Sequence, residues 1–256
     1  MVSRRRRCAP AIGLPLLFAA ALCACKTPPP KAPPRSKVVQ NPSPPADVAN
    51  ALERFFPLGA VMDEQSGSAD VLLNVKKSGV VRPRKLLNES APGFGRACAR
   101  AMKATRWNPA RQEDGRYLDY RVYYTCNFHY DHSPNTPEVR KVDAAKEWKS
   151  PEHGLVLKAH SMATRGDLGP EQLGPTVGPR LPELLTCFVG AASGDYRFSF
   201  LVDAGGGISR AELVYQSGGQ DRVADCVEER SRKWRVPASG PRPTLVDVPL
   251  SVRAGG

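Results

Sequence analysis

Within four residues, His129-Tyr130-Asp131-His132 offers three groups able to ligate a transition metal. Imidazole and carboxylate suit zinc and its neighbours. The cluster falls at the end of an expected strand, however, and nothing in its spacing aims three ligands at one point, so it reads as a solvated turn. Gly205-Gly206-Gly207 has the composition of a phosphate-cradling loop but lacks the lysine and the following helix that such a loop needs. It reads as a hairpin turn. No serine or cysteine stands at an interpretable spacing from a histidine, and the four histidines gather between His129 and His160. Trp107, Trp148 and Trp234 are assigned to core or docking positions rather than to a sugar platform. No catalytic residue, cofactor or metal is expected, and the chain does not read as an enzyme.

Cysteine carries the strongest chemical signal. Arg4 to Arg7 form a basic head, and an apolar segment follows from Ala9 to Leu22, broken by Pro10 and Pro15. That segment is short of the roughly 20 apolar residues that span a bilayer and has the form of an export signal. Leu22-Cys23-Ala24-Cys25 then resembles a bacterial lipobox. The resemblance implies cleavage after residue 24 and lipidation of Cys25, whose several acyl chains anchor stably where one would be marginal. Lys26 replaces the aspartate that marks inner-membrane retention, which implies a periplasmic protein held at the outer membrane. Four cysteines remain in the folded part: Cys98, Cys126, Cys187 and Cys226. An even count in an oxidising compartment predicts two disulfides, with three possible pairings.

Removing the four signal arginines lowers the net charge from +12 by four. For an exported chain the remaining excess reads first as a solvated basic surface, and as a contact for anionic cell-wall polymer or lipid headgroups before nucleic acid. From Lys26 to Pro45, eight of twenty residues are proline and none is acidic. Such a segment cannot bury enough apolar surface to fold, and as polyproline II it spans about 60 Å. It reads as a tether.

The folded part must therefore begin beyond it, and there the chain repeats itself. Val71, Leu73 and Val75 match Phe198, Phe200 and Val202 at a displacement that also pairs Gly79 with Gly206 and Trp107 with Trp234. In the first copy, alternation through Val75 predicts a strand, and Lys77-Ser78-Gly79 a hairpin turn into a second. Phe94, Ala97, Cys98, Ala101, Met102 and Thr105 then form one helical stripe. Val122, Tyr124, Cys126 and Phe128 share one face of a last strand. The order is strand, strand, helix, strand, twice. Cys98 on the inward helical stripe faces the side of the last strand that carries Cys126, so Cys98–Cys126 and Cys187–Cys226 are the expected disulfides.

The pattern Val75-x-x-x-Gly79-x-Val81, leading to Ser90, an alanine-rich helix and Trp107-Asn108-Pro109-Ala110, resembles the C-terminal domain of TonB proteins over about 58 residues. The second copy has Cys187 ahead of its first strand and Asp225-Cys226-Val227-Glu228-Glu229 in its helix. It is similar to the cysteine-bearing AgmX-type relatives of that domain. The resemblance implies an α+β fold, an antiparallel sheet with a helix on one face, and recognition of an extended segment by strand addition. It does not carry over energy coupling, because a lipobox stands where TonB has a transmembrane helix.

The expected organisation is a signal peptide at 1–24, lipidated cysteine and tether at 25–47, a first domain at 48–130, a connector at 131–180 and a second domain at 181–256. A short helix is expected from Val142 to Trp148 and another from Leu181 to Val189. The expected function is a membrane-anchored adaptor for an envelope protein, such as an outer-membrane transporter or a motility or secretion component. The alternative is a structural envelope lipoprotein that contacts peptidoglycan. A metal-dependent activity at His129 and His132 is a distant third. The docking edge is assigned to the last strand of the first copy, with Arg121, Tyr123, Thr125 and Asn127 on its outward side, because Pro249 interrupts the equivalent strand of the second copy.

Overall fold

A computed structural model describes residues 37–132, 136–143, 145–216 and 221–255. The expected signal peptide, Cys25 and the tether through residue 36 lie outside the described residues. The chain first lays down β1 (Val38–Gln40), α1 (Val48–Arg54) and α2 (Leu58–Met62). A hairpin follows, β2 (Gly67–Val75) and β3 (Val81–Glu89), then α3 (Phe94–Ala104). Two short strands, β4 (Ala110–Gln112) and β5 (Tyr117–Leu118), precede β6 (Tyr120–Phe128). The next stretch contains β7 (Val139–Val142), β8 (Lys146–Ser150), β9 (Leu155–Ala159) and β10 (Met162–Arg165). After α4 (Pro170–Val177) and a 3-10 helix (Gly178–Phe188) come β11 (Gly194–Val202), β12 (Ile208–Tyr215), α5 (Asp221–Ser231) and β13 (Thr244–Ala254).

The fold is α+β with antiparallel pairing, and a strand–strand–helix–strand unit occurs in it twice. In the first unit the sheet order is β3-β2-β6, and Ala69, Val71, Leu73 and Val75 point into one core with Phe94, Ala97, Cys98, Ala101 and Met102 of α3. In the second, Tyr196, Phe198, Phe200 and Val202 point into a larger core shared with Val227 of α5 and with Leu181, Leu184 and Phe188 of the 3-10 helix. Both hairpins turn on a glycine in the left-handed region, Gly79 at φ 80° and Gly206 at φ 77°. A side chain at either would also strike backbone: an added Cβ lies 2.5 Å from the Trp107 carbonyl oxygen at Gly79 and 2.2 Å from that of Val236 at Gly206. Each glycine carbonyl accepts from the segment that follows the helix, Gly79 from Trp107 N–H at 2.9 Å and Gly206 from Val236 N–H at 3.0 Å.

Three segments differ from expectation. The tether is not unpaired to residue 47: β1 pairs with β4, and Ser43 bridges to Asn108, because Val38 and Val39 give the end of the proline-rich stretch strand-forming residues. The stretch 131–180 is more than a connector. It supplies β7 to β10, and β9 and β10 hydrogen-bond to β13. Residues Val142 to Trp148 accordingly contain strand ends rather than a helix, since pairing with distant partners outweighs local propensity. The helix expected from Leu181 is present in 3-10 form and begins at Gly178.

The described residues form one compact unit. Charged groups fasten its two halves. Arg96 and Arg100 of α3 pair with Asp225 and buried Glu228 of α5. Arg210 donates to the carbonyls of Arg54 and Phe56, and the carboxylate of Glu212 accepts the Leu58 N–H at 2.7 Å. Arg197 holds Asp63 and Asp247 together, and Arg165 joins Glu64 to the Tyr130 hydroxyl. Burial lowers the Arg197 guanidinium, but its bonds to the two carboxylates more than offset this and raise its pKa above the ordinary value.

Candidate functional site

The sulfurs are joined as Cys98–Cys126 and Cys187–Cys226, the expected pairing. The two helix cysteines occupy nearly corresponding places in α3 and α5. Their partners do not: Cys126 lies in the last strand of its unit, whereas Cys187 precedes the first strand of its own. The first disulfide therefore ties β6 directly to α3.

That matters because β6 is a sheet edge. Its register with β2 runs unbroken from Gly67 opposite Phe128 to Val75 opposite Tyr120. Backbone bonds fix which groups face outward. Ser90 N–H donates to the Ser68 carbonyl, and Lys76 N–H to that of Val80, so the even residues of β2 direct their backbone groups toward β3. The odd residues, Ala69, Val71, Leu73 and Val75, therefore bond β6 through Cys126, Tyr124, Val122 and Tyr120. The intervening residues Arg121, Tyr123, Thr125 and Asn127 direct their N–H and C=O groups away from β2, and no strand pairs with them among the described residues. All four are exposed, Tyr123 to 74 %. The Thr125 hydroxyl donates to Asp70 at 2.6 Å. On the opposite face, burial raises the Tyr124 hydroxyl pKa, and its ring meets Trp107 edge-on at 5.1 Å.

The other outer strand of this sheet is built differently. β3 breaks register with β2 twice and contains Pro83, with Arg82, Arg84 and Lys85 exposed. Bulges, proline and positive charge are devices that discourage pairing. β6 has none of the first two.

In the second unit the corresponding strand has no open edge of this kind. β13 pairs with β11 along one side and with β10 and β9 along the other. The expectation that Pro249 interrupts this strand is corrected: β13 runs continuously from Thr244 to Ala254, with Pro249 opposite Arg197. The Pro249 carbonyl accepts from His160 N–H, so its backbone faces the outer side. The donor that proline lacks thus falls where β9 gives way to β10, and the ladder to β11 is spared.

The remaining candidates are structural. His132 Nδ1 lies 3.2 Å from Glu64, and no group of three or more His, Cys, Asp or Glu is arranged for a metal among the described residues. The Asp203 carboxylate accepts the N–H groups of Gly205 and Gly207, which makes the glycine run a turn. Trp107 and Trp234 are buried, the latter donating to Glu183, and Trp148 packs against the second core. One cluster is invisible in the sequence, since its members stand far apart: His160 Nε2 is 2.6 Å from the Ser251 hydroxyl, which donates to Asp195 at 2.7 Å. The serine proton is directed to the Asp195 carboxylate and away from the ring, whereas a serine nucleophile hands its proton to the imidazole. No helix among the described residues is long and apolar enough to cross a membrane. No family model, curated protein or solved structure matches this chain.

Proposed function

We propose that this chain is a membrane-anchored periplasmic adaptor whose first strand–strand–helix–strand unit binds an extended segment of an envelope protein by strand addition at β6. The TonB-like residues of the sequence support the recognition mode, and the lipobox supports the anchor. The observation that carries it is the contrast between the two units. β6 presents a regular nine-residue edge, while the corresponding β13 already has an antiparallel partner from its own chain. Strand addition at the last strand is thus a pairing this architecture accommodates, and in the first unit the place is open. No energy coupling is included.

The test is Tyr123→Pro. Tyr123 directs its N–H outward, so proline there deletes a donor from the open side and leaves the β2 ladder intact. Crosslinked pull-down from envelopes with the wild-type chain should recover a discrete protein, and the variant, shown folded by circular dichroism, should lose it. Equal recovery by the folded variant refutes docking at β6. Recovery of insoluble peptidoglycan alone would favour the structural lipoprotein instead.

A further inference from the structure

The strand already seated on β13 shows what kind of sequence this position takes. In β9, Leu155, Leu157 and Ala159 stand opposite Ala254, Val252 and Leu250 and join the core on the helix side. The intervening Val156 and Lys158 stand opposite Arg253 and Ser251 on the other face. An apolar residue at every second position is therefore the pattern that fits. At β6 the helix side offers the same chemistry, with partly buried Val122 and Tyr124 packed against the first core.

The helix-free face of the first unit has a distinct character. Its rows run Arg82–Asn74–Arg121 and Lys85–Leu72–Tyr123 across β3, β2 and β6. Asn74 is only 8 % exposed, flanked by the two arginines. Arg82, Lys85 and Arg121 are exposed, and among the described residues none has a carboxylate partner. The acids nearest this face already have partners: Asp70 accepts from Thr125, and Asp119, two residues before Arg121, pairs with Lys76. A residue opposite Arg121 on an added strand would sit about 5 Å away between Cβ atoms. Arg82 and Lys85 lie three strand spacings from an added strand, roughly 14 Å. That is beyond the Debye length of about 10 Å at 0.1 M salt and within that of about 30 Å at 0.01 M, so they act only at low ionic strength.

We infer that the segment received by β6 is an acidic amphipathic strand, with apolar residues alternating with aspartate or glutamate, the acids lying on the face of Arg121 and Tyr123. This rests on β6 being the docking edge, and the experiment separates the two. A labelled octapeptide alternating valine with glutamate, and its counterpart with lysine for glutamate, are titrated against the full chain at low ionic strength by fluorescence anisotropy. The glutamate peptide should bind about tenfold more tightly than the lysine peptide, with affinity falling as salt rises. Arg121→Glu should reverse the order, and Tyr123→Pro should abolish both. If the wild type binds both peptides equally, or prefers lysine, while Tyr123→Pro abolishes binding, acid selectivity is wrong and the edge stands. If the glutamate peptide binds Tyr123→Pro as tightly as wild type, the docking edge itself is wrong. Failure of the wild type to bind the glutamate peptide overturns the inference.

Discussion

Glu212 stands out among individual residues because it is a carboxylate without solvent. It is 1 % exposed, and burial raises its pKa above the ordinary 4.5, against the pull of Arg210, the Leu58 N–H and Arg100; Glu228 pushes in the same direction as burial. A carboxylate whose folded pKa is raised contributes stability that is fully present below its unfolded pKa, and that contribution is lost as pH rises through the folded value. Glu212→Gln removes the charge and retains an acceptor for Leu58. Urea unfolding should show the variant gaining on wild type as pH rises above the ordinary carboxylate range; a gap that stays constant or shrinks would contradict the assignment. Nothing in the stretch Arg210-Ala211-Glu212-Leu213 discloses this role. A charged residue alternating with apolar ones reads as an outward strand position, and only the docking of Leu58 from the first half of the chain buries it.

Among the elements, α3 and β6 were the most legible. The helical stripe from Phe94 to Met102 and the alternation through Phe128 each bury one face only, which leaves a clear period in the sequence. The β7–β10 region was not legible. Its strands are short, Val139 to Val142 are all exposed, and partners as distant as β13 define them rather than any local pattern. β6 lies at a sheet edge, and the contrast with β13 comes not from Pro249 but from β9 and β10, which close that strand's outer side. The Cys98–Cys126 bond adds something to β6 that the alternation cannot. It joins the proposed docking strand to the helix behind it, so that strand would meet a partner already ordered and lose less freedom on binding. Cys98→Ala combined with Cys126→Ala should cost about 2–5 kcal/mol in urea unfolding of the first unit, and recovery of the envelope partner should weaken in parallel. Unchanged stability would mean the bond does not carry this load.

For the whole molecule, the two repeated units are joined by partly buried ion pairs rather than by a loose linker, so β6 belongs to one compact body. The anchor is a sequence-based proposal, and Cys25→Ala is expected to block maturation or release the chain from membranes. A variant still processed and retained in the detergent phase would exclude lipidation there. If the chain is exported to the periplasm N-terminus first, as proposed, the disulfide topology has a further consequence. Cys98 meets Cys126 before Cys187 emerges, and Cys187 is followed by Cys226. Each native bond joins consecutive folded-part cysteines, so the order of arrival coincides with the order of pairing. An oxidase acting during translocation can close both without an isomerase having to open a wrong bond first.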